Sequence, residues 1–323
     1  MIPGPILIIK HGALGDLVQA LGPIRAIRRH HPDRHIVLLT TAPFRPLMEA
    51  CPDVDTVWVD ERPRLPHVRG WLALRRRLLY GGFARVYDLQ TSDRSSIYFH
   101  LMGPGRRPEW CGIARGCSHR QPAAGRSSLH TLERQAAQLK IAGIASVPPP
   151  DLGWTEADVG RFGLPEAYVL LAPGCAPHRP AKRWPAERFA AVARHFSEQG
   201  IRPVLIGAAG EADLHARIMA LAGTATCVSL AGETSLLELA TLARGSLAAV
   251  GNDTGPMHVS AAAGCPTLVM FSAESDPVRC APRSPLVTCL QRQTLDQLPV
   301  AAVTEALDGL LAPERAAAIR LVL

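Results

Sequence analysis

The sequence is poor in lysine, poor in aromatic residues and without a closely spaced cysteine pair, and each shortage excludes something. Of its 35 Lys and Arg residues, lysine accounts only for Lys10, Lys140 and Lys182. Arginine enrichment of this kind reads as genome composition, so each lysine that survives is worth inspection: its ammonium is a compact point charge, not a planar fork. Aromatic residues make up 5% of the chain. Few of them interleave with the arginines, so no base-stacking surface is evident and nucleic-acid binding is disfavoured. The eight cysteines, at positions 51, 111, 117, 175, 227, 265, 280 and 289, form no C-x-x-C pair and have no histidine at zinc-finger spacing. No metal site is expected, and the thiols read as reduced groups in a cytosolic protein. The start, Met1-Ile2-Pro3-Gly4-Pro5, lacks the basic and long apolar regions of a signal peptide. Residues 255–273 carry no charged side chain, but their glycines and prolines argue against a membrane span.

What is present is ordinary globular material. At 323 residues the chain suits two domains, and 47% hydrophobic with 20% charged residues can build a sizeable core. Charge is uneven. Residues 1–150 hold 21 Lys and Arg against 11 Asp and Glu, a net +10, whereas 151–323 hold 14 against 17, a net −3. The basic half suits an anionic acceptor or an anionic membrane surface. The plainer reading of a cluster such as Arg75-Arg76-Arg77 is a solvated helix face.

Short apolar runs alternate with helical segments throughout. Strands are expected at 6–9, 36–39, 57–59 and 85–89, with helices at 16–31, 46–50, 68–80 and 129–141. The Gly-, Arg- and Pro-rich stretch 103–127 reads as an exposed loop. Pro148-Pro149-Pro150 is the natural linker. The pattern then restarts, with strands at 168–171, 204–206, 227–230, 247–250 and 267–271. Helices lie between them at 185–199, 211–222, 236–244 and 257–263. A last, Ala-rich helix over 298–323 is expected to pack back on the first domain. Such alternation means two α/β domains with parallel sheets, residues 1–150 and 151–297, each Rossmann-like. Ligands of such sheets lie beyond the carboxyl ends of the strands.

Three strand ends carry chemistry. The first is Ile9-Lys10-His11-Gly12-Ala13-Leu14-Gly15-Asp16. Its glycines permit a sharp turn, and Asp16 falls where a carboxylate often serves only as a helix cap. The turn has G-x-x-G without the full dinucleotide fingerprint. No acid ends the second strand at Leu39-Thr40-Thr41, which disfavours nicotinamide binding. The second is Gly174-Cys175, followed by Lys182-Arg183-Trp184-Pro185, where cations beside a helix start suggest an anion. The third is Asn252-Asp253-Thr254-Gly255-Pro256-Met257-His258. Its backbone amides from Thr254 to His258 offer a diphosphate cradle. His258 reads equally as a phosphate donor or a core histidine.

These motifs resemble glycosyltransferase family 9, the ADP-heptose:lipopolysaccharide heptosyltransferases. The matching pieces are Lys10, Gly15-Asp16, Asp88-Leu89-Gln90, Lys182-Arg183-Trp184-Pro185, Thr234-Ser235-Leu236-Leu237-Glu238-Leu239-Ala240 and the run 252–258. The resemblance implies the GT-B architecture, α/β with two Rossmann-like domains facing across a cleft, and an inverting transfer from a nucleotide-sugar donor. It implies Asp16 as general base and Lys182 stabilising the leaving diphosphate. It places Glu238, Asp253, Thr254 and Gly255 on the donor side, where the strand-end pattern adds Gly174, Cys175, Met257 and His258. On the acceptor side it places Lys10 and Gly15, with Gln90 and Arg94 as further candidates. No cofactor is required, since the ADP-sugar is a substrate, and room remains for a weakly bound divalent cation. The expected partner is an anionic glycan or glycolipid acceptor, and the expected location is the cytoplasm, with peripheral contact at the inner membrane's cytoplasmic face left open. Two other readings stand beside it: the same fold serving a protein, glycan or natural-product acceptor, and a nucleotide-sugar-binding protein without turnover.

Overall fold

A computed structural model describes residues 4–103 and 107–311. The chain divides into two compact units, residues 1–150 and 151–323. The first holds strands β1 (Ile6–Ile9), β2 (Ile36–Thr40), β3 (Thr56–Val59), β4 (Arg85–Asp88), β5 (Glu109–Gly112) and β6 (His119–Arg120). Its helices are α1 (Leu14–Gln19), α2 (Leu21–His30), α3 (Arg45–Glu49), α4 (Val68–Tyr80), α5 (Asp93–Leu101) and α6 (Thr131–Ile141). The second unit holds β7 (Tyr168–Ala172), β8 (Arg202–Gly207), β9 (Val228–Ala231), β10 (Ala248–Asn252), β11 (Thr267–Phe271) and β12 (Val287–Gln291). With them come α7 (Ala186–Glu198), α8 (Ala212–Ala222), α9 (Leu236–Gly245), α10 (Gly255–Ala262), α11 (Pro277–Cys280) and α12 (Val300–Leu311).

Every strand pairing is parallel. The order is β3-β2-β1-β4-β5-β6 in one sheet and β12-β11-β10-β7-β8-β9 in the other. Both follow the same rule: strand order reverses once, between β1 and β4 in the first unit and between β7 and β10 in the second. At such a reversal neighbouring connections leave on opposite faces and open a crevice for a ligand. Of the strands that flank it, β1 and β7 are apolar because both of their faces are covered. Ile6–Ile9 and Tyr168–Ala172 are buried along their whole length. The first core gathers Leu7, Ile9, Leu39, Val86, Phe99 and Trp110. The second gathers Leu171, Phe189, Phe196, Leu205, Val250 and Leu268.

Three expectations change. The helix read over 16–31 is two helices meeting at Ala20. The stretch 103–127 is not simply an exposed loop: β5 and β6 lie in it, with Trp110 and Cys111 fully buried; residues 104–106 of it lie outside the described residues. Burial of two apolar side chains overrides the loop-like composition around them. The last helix belongs to the core of the second unit. Over Val300–Leu311 it buries Val303, Leu307 and Leu310 in the core of the second, beside Phe196 and Val250. Residues 312–323 of that segment lie outside the described residues. Among the described residues no helix is long and apolar enough to cross a membrane.

Candidate active site

In the first unit the chain leaves β1 through Lys10 and turns into α1. Gly12 makes the turn, with φ +120°; a Cβ there would lie 2.4 Å from the Phe44 ring. The turn is pinned on both sides. The Thr41 hydroxyl donates to the His11 carbonyl at 2.9 Å, and the His11 N–H donates to Gln90 Oε1 at 2.9 Å. His11 Nε2 lies 2.8 Å from Asp60 Oδ2, which also accepts from the Tyr98 hydroxyl at 2.5 Å. Asp16 sits in the first turn of α1 but does not cap it: the N-cap position is Ala13, and no side chain caps the helix. Its carboxylate is exposed and belongs to no salt bridge of the described residues.

Across the strand reversal, β4 ends at Asp88, a fully buried carboxyl. Its Oδ1 accepts from the Gln90 and Thr91 N–H groups at 3.1 and 2.9 Å, which shapes the turn that presents Gln90. Burial pushes this carboxyl up to about 6, against the pull of those N–H groups. Gln138 of α6 donates to the Asp88 carbonyl at 2.8 Å and so docks α6 against the strand end. Between these elements lies a cavity of about 190 Å³, lined by Lys10, Asp16, Gln90, Arg126, Arg134 and Gln135 among others. Lys10 is 4% exposed, and Nζ donates to the Leu89 carbonyl at 3.3 Å. Burial lowers its pKa, as do Arg134 and Arg126, while Asp16 and Asp88 act the other way. Gln135 is buried, and its Oε1 has no hydrogen-bond partner. An unsatisfied buried acceptor costs free energy, so it marks a place where a ligand donor is welcome.

Lys10, Asp16 and Gln90 therefore come together, with Gly15 beside Asp16 in α1. Arg94 is not among the cavity's lining residues. It donates to the Pro63 carbonyl at 3.2 Å and lies over the Trp71 ring at 5.3 Å. Arg126 and Arg134, which line the cavity, escape a sequence reading because they lie in a run where every basic residue resembles surface charge. Arg126 is held in place by Thr91 Oγ1 and by Gln121 Oε1, the latter at 2.9 Å.

In the second unit Asn252, at the end of β10, ties three segments together. Its Nδ2 donates to the Pro173 carbonyl at 2.7 Å, and its Oδ1 accepts from the Trp184 N–H at 3.0 Å. That lays the 182–184 loop along the end of the sheet, where Lys182 Nζ meets Asp253 Oδ2 at 2.5 Å. Thr254 then occupies the N-cap position of α10 without a side-chain cap, leaving its hydroxyl unused by the helix.

The cradle at α10 is narrower than its sequence suggests. Pro256 has no N–H, and that of Met257 donates to the Thr254 carbonyl at 3.1 Å. Met257 is itself buried beneath the turn; a Cβ on Gly251 would lie 2.6 Å from its Sδ. His258 is also buried. Cys175 is buried, and its thiol donates to the Arg179 carbonyl at 3.0 Å, which holds the loop. Glu238 closes a capping box with Ser235 and accepts from Arg161 Nε at 2.8 Å, so both of its oxygens are occupied locally. The Arg161 guanidinium holds this carboxyl down at about 2.

Gly174 has a neighbour that sequence reasoning misses. A Cβ at this position would lie 1.8 Å from Glu211 Oε1, so any larger residue would push that carboxylate aside. Glu211 follows β8 as Asp16 follows β1, and this repeated strand–turn–helix placement is the signal that could have found it. Burial raises its pKa.

Residues 71–309 match the profile of Glycosyltransferase family 9 (heptosyltransferase). Lipopolysaccharide heptosyltransferase 2 of Escherichia coli (strain K12) is 28% identical over 295 residues, covering 84% of this chain and 83% of that protein. Lipooligosaccharide heptosyltransferase 2 of Haemophilus ducreyi is 26% identical over 282 residues, covering 80% and 79%. The solved structure of E. coli ADP-heptose lps heptosyltransferase II superposes with a TM-score of 0.82 at 25% identity, over 95% of this chain and 98% of that one. A glycosyl transferase family 9 structure from Veillonella parvula shares the fold, with a TM-score of 0.84 at 20% identity over 95% and 97%. Two six-stranded parallel α/β units are the GT-B fold class that the motifs led us to expect. With a profile match over well more than half of its length, the chain belongs to glycosyltransferase family 9, the heptosyltransferases, and is a glycosyltransferase.

Proposed function

We propose that the chain moves a heptosyl group from ADP-heptose to a hydroxyl of a lipopolysaccharide core acceptor, with inversion at the anomeric carbon. Relatives named as lipopolysaccharide heptosyltransferases support the substrate class. The observation that carries the mechanism is Asp16: an exposed carboxylate, spent neither on a cap nor on a salt bridge, lining a cavity whose other charged walls are basic. In the step, the acceptor oxygen bonds to the anomeric carbon while the bond from that carbon to the diphosphate breaks on the opposite side. ADP leaves with the bonding electrons, and Asp16 takes the hydroxyl proton. Lys10, Arg126 and Arg134 meet the acceptor's anionic groups.

On the donor side Lys182 stabilises the charge that grows on the diphosphate, together with the start of α10 at Thr254 and Gly255. Asp253 keeps the Lys182 ammonium in place until the donor arrives. These groups balance the diphosphate without a tightly bound metal, and a cation carried in by the donor is compatible with them. The test is transfer from ADP-heptose to a deacylated core oligosaccharide by Asp16→Asn. Turnover is expected to fall by about 10²–10⁴-fold, the range for a lost general base, while ADP still raises the melting temperature as in the parent. Turnover within a factor of a few of the parent removes Asp16 from this role.

A further inference from the structure

One face of α4 plays no part in the site described above. The helix buries Leu74 and Leu78, which join the first core. At about 100° per residue, Val68, Leu72 and Leu79 fall within an arc of roughly 40° on a side turned away from that core. They are 64%, 59% and 40% exposed; Leu65, before the helix, is 78% exposed, and Tyr80, at its end and beyond Arg76, is 77% exposed. Arg75 borders the stripe on one side, Arg69 and Arg76 on the other. Residues 61–80 contain six arginines and one carboxylate, Glu61. None of the six forms a salt bridge among the described residues. Arg75 Nε instead donates to the Leu101 carbonyl at 2.9 Å, and Arg76 lies over the Tyr80 ring at 5.3 Å.

Single exposed apolar side chains are common on soluble proteins, but a stripe of them flanked by unpaired arginines is not. We propose that this face of α4, with the loop that carries Leu65, lies on an anionic lipid surface. An interfacial helix needs this combination: aliphatic and aromatic side chains reach below the headgroups, while arginines extend sideways to the phosphates. Charge argues against the other occupants. A second copy pairing through the same face would set arginine against arginine, and a nucleic acid would use the arginines but gain nothing from four exposed aliphatic side chains. The proposal does not depend on the transfer reaction, and its test contains neither donor nor acceptor glycan.

The experiment is co-sedimentation of the full chain with vesicles of phosphatidylethanolamine alone, or with 30% phosphatidylglycerol added. Binding is expected only with the anionic lipid and is expected to weaken as salt rises. An arginine near such a surface is worth about fivefold in affinity, so Arg69→Glu/Arg76→Glu is expected to bind roughly twenty-five-fold more weakly or worse. Leu65→Ser/Leu72→Ser, which alters only exposed positions, is expected to lose vesicle binding while keeping the parent melting temperature. The proposal fails if the chain ignores anionic vesicles, or if the leucine variant binds them as well as the parent. It also fails if the leucine substitutions instead dissolve a dimer seen by sedimentation, or if an RNA oligonucleotide binds both leucine variant and parent alike.

Discussion

Lys182 and Asp253 hold one another at 2.5 Å at the end of β10, where a diphosphate is expected. A cation already paired to a carboxylate is correctly oriented but partly neutralised, and the carboxylate becomes a liability once the cation is gone. Lys182→Ala is therefore expected to weaken stabilisation by ADP more than Lys182→Ala/Asp253→Asn does, because the single variant leaves Asp253 facing the diphosphate alone. Thermal shift against ADP concentration decides it; equal losses would mean that the ammonium does not face the ligand. Asp88 makes a second residue-scale prediction. Its carboxyl titrates near 6 in the fold and at an ordinary value of about 3.9 in the unfolded chain. The unfolded chain therefore releases this proton first. The native state is best placed below about pH 4, and between there and about 6 it gives up roughly 3 kcal/mol. Asp88→Asn keeps an acceptor for the Gln90 and Thr91 N–H groups and has no charge to bury. It is expected to melt higher than the parent at pH 8, with the gain shrinking towards pH 4.

At the scale of elements, the second site depends on Asn252 more than on any charged group. One amide orders the ends of β7 and β10 and the start of α7. Asn252→Ala leaves the Pro173 carbonyl and the Trp184 N–H without their partner, which is expected to cost about 2–4 kcal/mol. The melting temperature should fall and the ADP response should weaken, since the 182–184 loop loses its tether. An unchanged melting temperature would show that the loop is held by other means. Gly174→Ala acts differently: its methyl group meets the Glu211 carboxylate, so donor affinity is expected to drop by more than stability does.

The same elements show what a sequence reading reaches and where it stops. Strands β1, β7, β10 and β11 announce themselves as short apolar runs, and the turns that follow β1, β7 and β10 carry the candidate groups. Asp16 and Lys182 are therefore legible as candidates before any coordinates. Arg126, Arg134 and Gln135 are not, because their place is fixed by Gln121, Gln138 and Thr91, partners that no local pattern ties to them. Glu238 shows the reverse: its motif is legible, but not that its oxygens meet Ser235 and Arg161. β5 is hidden by the arginines and glycines around Trp110, and β12, half-exposed at a sheet edge, has too weak an apolar pattern to announce itself.

For the whole molecule the uneven charge, +10 in residues 1–150 and −3 in 151–323, separates the two substrates by their response to salt. Screening weakens long-range attraction between exposed charges and spares short, buried contacts. Raising salt from 50 to 300 mM is expected to increase KM for an anionic acceptor severalfold while moving KM for the donor much less. Steady-state kinetics with each substrate varied in turn would reveal a reversed order if the basic unit does not receive the acceptor. The face of α4 carries a further consequence. A catalyst resting on a leaflet searches for its acceptor in a plane, so its encounter rate follows acceptor per unit area of membrane. Diluting a glycolipid acceptor with inert phospholipid, at fixed total acceptor, would then slow turnover even though nothing in the bulk solution has changed.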